Sequence, residues 1–189
     1  MQAAQQQVDV IQPLSWQVVD ILIDRLESLI GKKAINVLFQ AFGEIDRSVA
    51  PDPVIIYQLG NELYDLVGKN GAFALLRQVG REIGGMFTDG KDAESALELL
   101  NKTLAELGFA YEIKLDDENA YICKCVFYKF LQEDGYKPVE RPVCWTGWGF
   151  IEGCLKNVNG AHHIKWEGRD NKAQACRFSV KMTSDDWEP

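Results

Sequence analysis

Residues 142–154, Pro-Val-Cys-Trp-Thr-Gly-Trp-Gly-Phe-Ile-Glu-Gly-Cys, restrict this chain more than any other segment. From there on Cys144, Trp148, Ile151, Leu155 and Val158 recur at alternating steps of four and three, the period of an amphipathic helix. Gly149 and Gly153 lie four apart in the same stretch, so one line along that helix carries no side chains. Its backbone can therefore approach a sheet or a planar ligand closely. Trp145, Trp148 and Phe150 add broad apolar faces beside the glycines. Aromatics at helical spacing fill a core above a sheet, or they wall a pocket. On the second reading Cys144, Trp145, Trp148, Gly149, Phe150 and Gly153 are candidate ligand-binding residues.

The rest of the chain supplies what this helix could pack on. Val18, Leu22, Leu26 and Leu29 mark a first helix that Gly31 stops, and a short second pattern runs over 32–44. Asp52-Pro53 opens a third, with Ile55, Leu59, Leu63 and Leu66 on its apolar face and Gly68 as its stop. A fourth carries Phe73, Leu76, Gly80, Ile83 and Phe87, where Gly80 and Gly84 admit a neighbouring helix or a ligand. Leu97, Leu100, Leu104 and Leu107 mark a fifth.

The period then changes to two, giving a strand over 109–115 and a second, apolar on both faces, over 121–130. Two further strands are predicted over 161–167 and 173–182. The expected fold class is α+β, a helical block packed on a four-stranded antiparallel sheet. Residues 1–13 read as a flexible N-terminal segment, 14–182 as one ligand-binding domain, and 183–189 as a tail.

A net charge of −8 argues against nucleic acid, which requires clustered Lys and Arg. No apolar run reaches the roughly 20 residues that span a bilayer, and the Gln-rich start lacks the pattern of a secretory signal. Five cysteines without a disulfide framework suit free thiols in a reducing, cytoplasmic compartment. Cys123-x-Cys125 has no matching second half for zinc, while Cys144, Cys154 and Cys176 could meet in space; no metal is predicted. Nucleophile elbows, phosphate loops and dinucleotide fingerprints are missing, so no catalytic residue is assigned and the chain reads as a non-enzyme. Glu152 is either solvated on the free face, the commoner case, or buried, where it requires a partner. His162 and His163 are the only histidines; either is an exposed polar turn residue or an axial ligand for a metalloporphyrin.

Residues 72–80 with Gly84, the turn into Gly108-Phe109, the run from Pro142 to Gly153, and Cys176-Arg177-Phe178 together resemble the 4-vinyl-reductase domain, a hydrocarbon-binding family that shares the TRAPP-subunit fold. The resemblance covers about residues 14–182. It implies a TRAPP-subunit-like fold, an apolar pocket and a homodimer formed through the helical block. Similarity to cyanobacterial members implies chlorophyll or a related tetrapyrrole as ligand. It also implies a role as carrier or assembly factor for photosystem II, at the periphery of the thylakoid membrane, with assembly proteins as partners. Two alternatives stand beside it: a protein-interaction scaffold without pigment, and an accessory subunit of a tetrapyrrole vinyl reductase. One departure is that relatives carry a further cysteine where this chain reads Trp166-Glu167-Gly168-Arg169-Asp170.

Overall fold

In the computed structural model, the residues described are 13–40, 42–43, 45–89, 108, 112–115, 119–123, 125–133, 135, 140–159, 161–170 and 175–182. The helix expected over 97–107 and the tail 183–189 lie outside them. Helix α1, Trp16–Ile30, starts where the Ser15 hydroxyl accepts the Gln17 N–H at 3.2 Å, and it buries Val19, Leu22 and Leu26. Helix α2 is Lys32–Gln40, with Ile35 and Leu38 buried. Helix α3, Val54–Thr88, begins where the Asp52 carboxylate accepts the Val54 N–H at 2.9 Å. The two helices predicted on either side of Gly68 are the two arms of α3, which breaks at that glycine with φ 74° and ψ 170°. That left-handed φ is why glycine stands there.

The strands are β1, Glu112–Leu115; β2, Asn119–Cys123; β3, Ala161–Asp170; and β4, Ala175–Met182. Between β2 and β3 come α4, Tyr128–Glu133, and α5, Pro142–Asn159. All neighbouring strands pair antiparallel in the order β1-β2-β4-β3. Register puts Trp166 opposite Phe178 and Arg169 opposite Cys176, with irregularities between Ala161 and His163 and between Trp166 and Gly168.

The expected architecture is corrected in two respects. The molecule is mostly helical, and its sheet is in substance one long two-stranded ribbon, β3–β4, with the short β2 and β1 added at one edge. It is not a broad sheet roofed by helices in the manner of a TRAPP subunit. The strand predicted over 121–130 stops at Cys123, and the chain turns at Val126-Phe127 into α4. An apolar run reads the same whether it is a central strand or a buried helical turn. Here Phe127 and Leu131, four apart, are the buried pair, at 2% and 3% exposure.

The larger core gathers residues of α1, α2 and α3 with Phe127, Leu131, Val143 and Trp145. A smaller cluster lies between α5 and the ribbon, where Ile151 and Leu155 meet Ile164 and Phe178, with Cys125, Trp148, Trp166 and Cys176 at its margin. Cys125 borders both clusters. No described helix is long and apolar enough to cross a membrane.

Candidate functional site

The glycines of α3 and α5 face each other. A Cβ placed on Gly149 would overlap the Arg77 carbonyl, and one on Gly153 the Arg81 carbonyl, with carbonyl carbons 2.8 Å away in both cases. From the other side, a Cβ on Gly80 would collide with Thr146 and sit 2.8 Å from the Phe150 nitrogen, and one on Gly84 would strike the Phe150 carbonyl. The close approach that the sequence allowed for a sheet or ligand is thus taken up, at Gly149 and Gly153, by the backbone of α3. The partners 77/149 and 81/153 advance together, so the two helices run in the same direction.

Across this seam Glu152, its side chain 10% exposed, accepts from Arg77 Nε at 2.8 Å and from Arg81 Nε at 2.7 Å, and Arg77 Nη2 closes a second bond. The buried reading of Glu152 holds, and its partners are these two arginines. The Arg77 guanidinium also covers the Trp148 ring at 4.6 Å and the Phe73 ring at 5.3 Å.

The aromatic candidates cluster around the seam. Trp145, 2% exposed, stacks on Tyr64 at 6.4 Å and meets Phe73 edge-on at 5.4 Å. Trp148 meets Phe73 at 5.9 Å and Phe178 at 6.2 Å, and its indole N–H donates to the Ile164 carbonyl at 2.9 Å. Phe150 is buried and 6.4 Å from Phe87. Ring packs on ring throughout this cluster. His162 and His163 belong to β3, His163 in register with Lys181, and their side chains lie outside the description.

The thiols divide differently from the grouping expected of Cys144, Cys154 and Cys176. Cys154 sits on the seam, its S–H directed to the Gly84 carbonyl at 3.5 Å. Cys144 instead shares a region with Cys125 and Cys176, near enough that ionising one would raise the others. Burial pushes the Cys125 thiol up to about 12 and Cys144 well above the usual range. Cys176 is raised too, by burial, with the nearby Arg169 opposing. All three therefore stay protonated at neutral pH. Among the described residues no group of three or more His, Cys, Asp or Glu side chains is arranged to hold a metal ion.

Arg169 stands beside these thiols and escaped the sequence reading, which noted its segment only for lacking a cysteine. Its Nη1 donates to the Cys176 sulfur at 3.2 Å and its guanidinium covers the Tyr128 ring at 3.9 Å. Among the described residues its Nε and Nη2 are buried without a hydrogen-bond partner, as is the indole Nε1 of Trp166. In the sequence Arg169 is one charge among several in the strand segment Lys165-Trp166-Glu167-Gly168-Arg169-Asp170, and nothing there sets it apart. Elsewhere a cleft of about 480 Å³ opens between the first arm of α3 and the start of α5, lined by Asn61, Tyr64, Asp65, Lys69, Glu140, Arg141 and Pro142. Its lining mixes both charges and is not the apolar pocket expected.

No protein-family model and no curated protein matches the chain. Its structure is similar to solved H-NOX domains. An H-NOX protein from S. oneidensis in an Fe(II) ligation state aligns with a TM-score of 0.61 at 12% identity, over 92% of this chain and 98% of that one. A structure from a study of heme distortion in the H-NOX family gives 0.58 at 17%, over 92% and 97%. An oxygen-binding H-NOX domain related to soluble guanylate cyclases gives 0.56 at 15%, over 92% and 97%. At these identities the likeness establishes the fold.

The fold is therefore that of an H-NOX domain, and the resemblance to the 4-vinyl-reductase domain is corrected. The chlorophyll, photosystem II and thylakoid readings rested on that resemblance and fall with it. Short glycine and cysteine motifs carried it, and the structure assigns four of those glycines to helix packing, a purpose independent of family.

Proposed function

We propose that this chain is a non-enzymatic ligand-binding domain whose ligand is a tetrapyrrole, with haem the first member of that class to test. The observation that carries the reading is the end-to-end likeness to H-NOX domains, several of which were solved in studies of their heme. Within this chain the donor set fits an iron porphyrin at one point. A cysteine ligates iron as thiolate, and burial keeps the thiols of Cys125, Cys144, Cys154 and Cys176 protonated. The residue that would hold the iron is His162 or His163, the only histidines of the chain, since a neutral imidazole binds iron without first losing a proton. Trp148, half-buried where the ribbon meets α5, is the candidate aromatic wall, whereas Trp145 and Phe150 are packed inside. When bound, an iron porphyrin supplies an open coordination position for a diatomic gas. The protein's part is to hold it, exclude water and present one imidazole.

The test is titration of the purified chain with hemin, read by the Soret band and by co-elution on gel filtration. A shifted, saturable band that His162→Ala or His163→Ala removes is expected. A flat titration sinks the tetrapyrrole reading. An unchanged band in the double variant sinks the histidine assignment. The gel filtration run also reads the proposed homodimer.

A further inference from the structure

Arginine is a permanent cation, and burying one without a counter-charge is costly. Arg169 is in that position. Among the described residues no carboxylate pairs with it, and the sulfur that takes its Nη1 belongs to a thiol that stays neutral. The two nitrogens left over, Nε and Nη2, form the side-on edge of the guanidinium, the edge that receives a carboxylate through two parallel hydrogen bonds. The Trp166 indole N–H, directed at the same Cys176 sulfur, is also buried and makes no hydrogen bond of normal geometry among the described residues. Both Trp166 and Arg169 come from β3, and an irregularity in the ladder falls between Trp166 and Gly168, re-aiming the strand there.

We propose that Arg169 and Trp166 form an oxyanion-binding subsite for the carboxylate of an apolar acid. The surroundings select this class. The Tyr128 ring covers the guanidinium face, and the thiols of Cys125 and Cys176, at the margin of the cluster around Phe178, provide soft, apolar walls. Such walls suit a hydrocarbon tail and offer a phosphate few donors for its remaining oxygens. Both nitrogens of that edge are buried, so binding an acid there requires neighbouring side chains to shift. The inference does not rest on the tetrapyrrole reading, and its probe and readout are separate from that test.

The experiment is calorimetric titration of the full chain with octanoate, acetate and inorganic phosphate, alongside Arg169→Met and Arg169→Lys. Octanoate is expected to bind saturably, with acetate and phosphate weaker by about tenfold or more. Arg169→Met is expected to lose about tenfold or more of the octanoate affinity and to unfold, without ligand, at the same or a higher temperature. A merely structural arginine would lower that temperature. Arg169→Lys, which keeps the charge and loses the fork, should fall between, and it decides alone if the methionine variant does not fold. The proposal is overturned if octanoate does not bind, if phosphate binds better, or if binding survives Arg169→Met undiminished. A thiolate absorbance at neutral pH that Cys176→Ala abolishes would also overturn it, because the counter-ion would then be internal.

Discussion

Arg77 and Arg169 are both arginines with a buried head beside an aromatic ring, and the protein treats them in opposite ways. Arg77 lies over Trp148 and Phe73 and shares Glu152 with Arg81, so its charge is answered within the fold. Arg169 lies over Tyr128 with the Cys176 thiol beside it and, among the described residues, two donors unanswered. The first arrangement closes a helix seam. The second leaves a charge unmatched in an apolar setting, which a fold concerned only with stability would replace with a hydrocarbon. The lesson is that burial alone does not mark a site; a buried charge without its complement does.

Three perturbations break or sharpen this contrast. The largest effect belongs to the seam backbone. Gly149→Leu or Gly153→Leu puts a branched side chain where a carbonyl of α3 already sits, and neither helix backbone can yield locally. A loss of about 4 kcal/mol or more, enough to abolish the native circular-dichroism melt, is expected. A folded Gly153→Leu protein with wild-type stability would show that the helices are not in contact there.

Next comes the answered charge. Glu152→Gln leaves Arg77 half-buried without its anion and should cost about 3 kcal/mol in a urea denaturation. Arg81→Gln, whose side chain is 44% exposed, should cost well under about 1 kcal/mol. Equal costs would mean that burial does not set the worth of the pair.

The effect that vanishes at neutral pH, and is there the smallest, concerns the thiols around Arg169. Cys125 rises from an ordinary 9.0 to about 12 through burial, and Cys176 is raised as well. Above pH 9 the unfolded chain releases these protons while the folded chain retains them. Stability therefore stays flat below pH 9 and falls as pH rises toward 12, by up to about 1.4 kcal/mol per pH unit for each such thiol. Cys125→Ala should remove part of that alkaline slope in denaturation midpoints measured across the range. An unaltered slope would show Cys125 already ionised, and Arg169 then not without a counter-charge.

The seam was the most legible part of the molecule. Glycines four apart at 80/84 and 149/153 announce a close approach in any sequence, and one alternative weighed for Gly80 and Gly84, a neighbouring helix, is what the structure shows. The partner was not legible for Gly149 and Gly153, since spacing does not say what approaches. The run 121–130 failed because continuous apolarity carries no period, and Cys125 lies beyond the end of β2. Arg169 was legible only as a charge. Its meaning depends on what surrounds it in space, and Tyr128, Cys144 and Cys176 come from three separate elements.

The break at Gly68 has a mechanical side. Among the described residues nothing lies within 4 Å of where a side chain on Gly68 would begin, so none of them packs into the joint between the two arms of α3. Yet α5 lies along both arms. Its first residues, Pro142 and Val143, press on Gly60, Trp145 stacks on Tyr64 of the same arm, and its glycines grip the carbonyls of Arg77 and Arg81 on the other. Helix α5 is thus a splint across a bare joint, and the bend of the longest helix is set by a neighbour 75 residues away along the chain, as counted from Arg77 to Glu152.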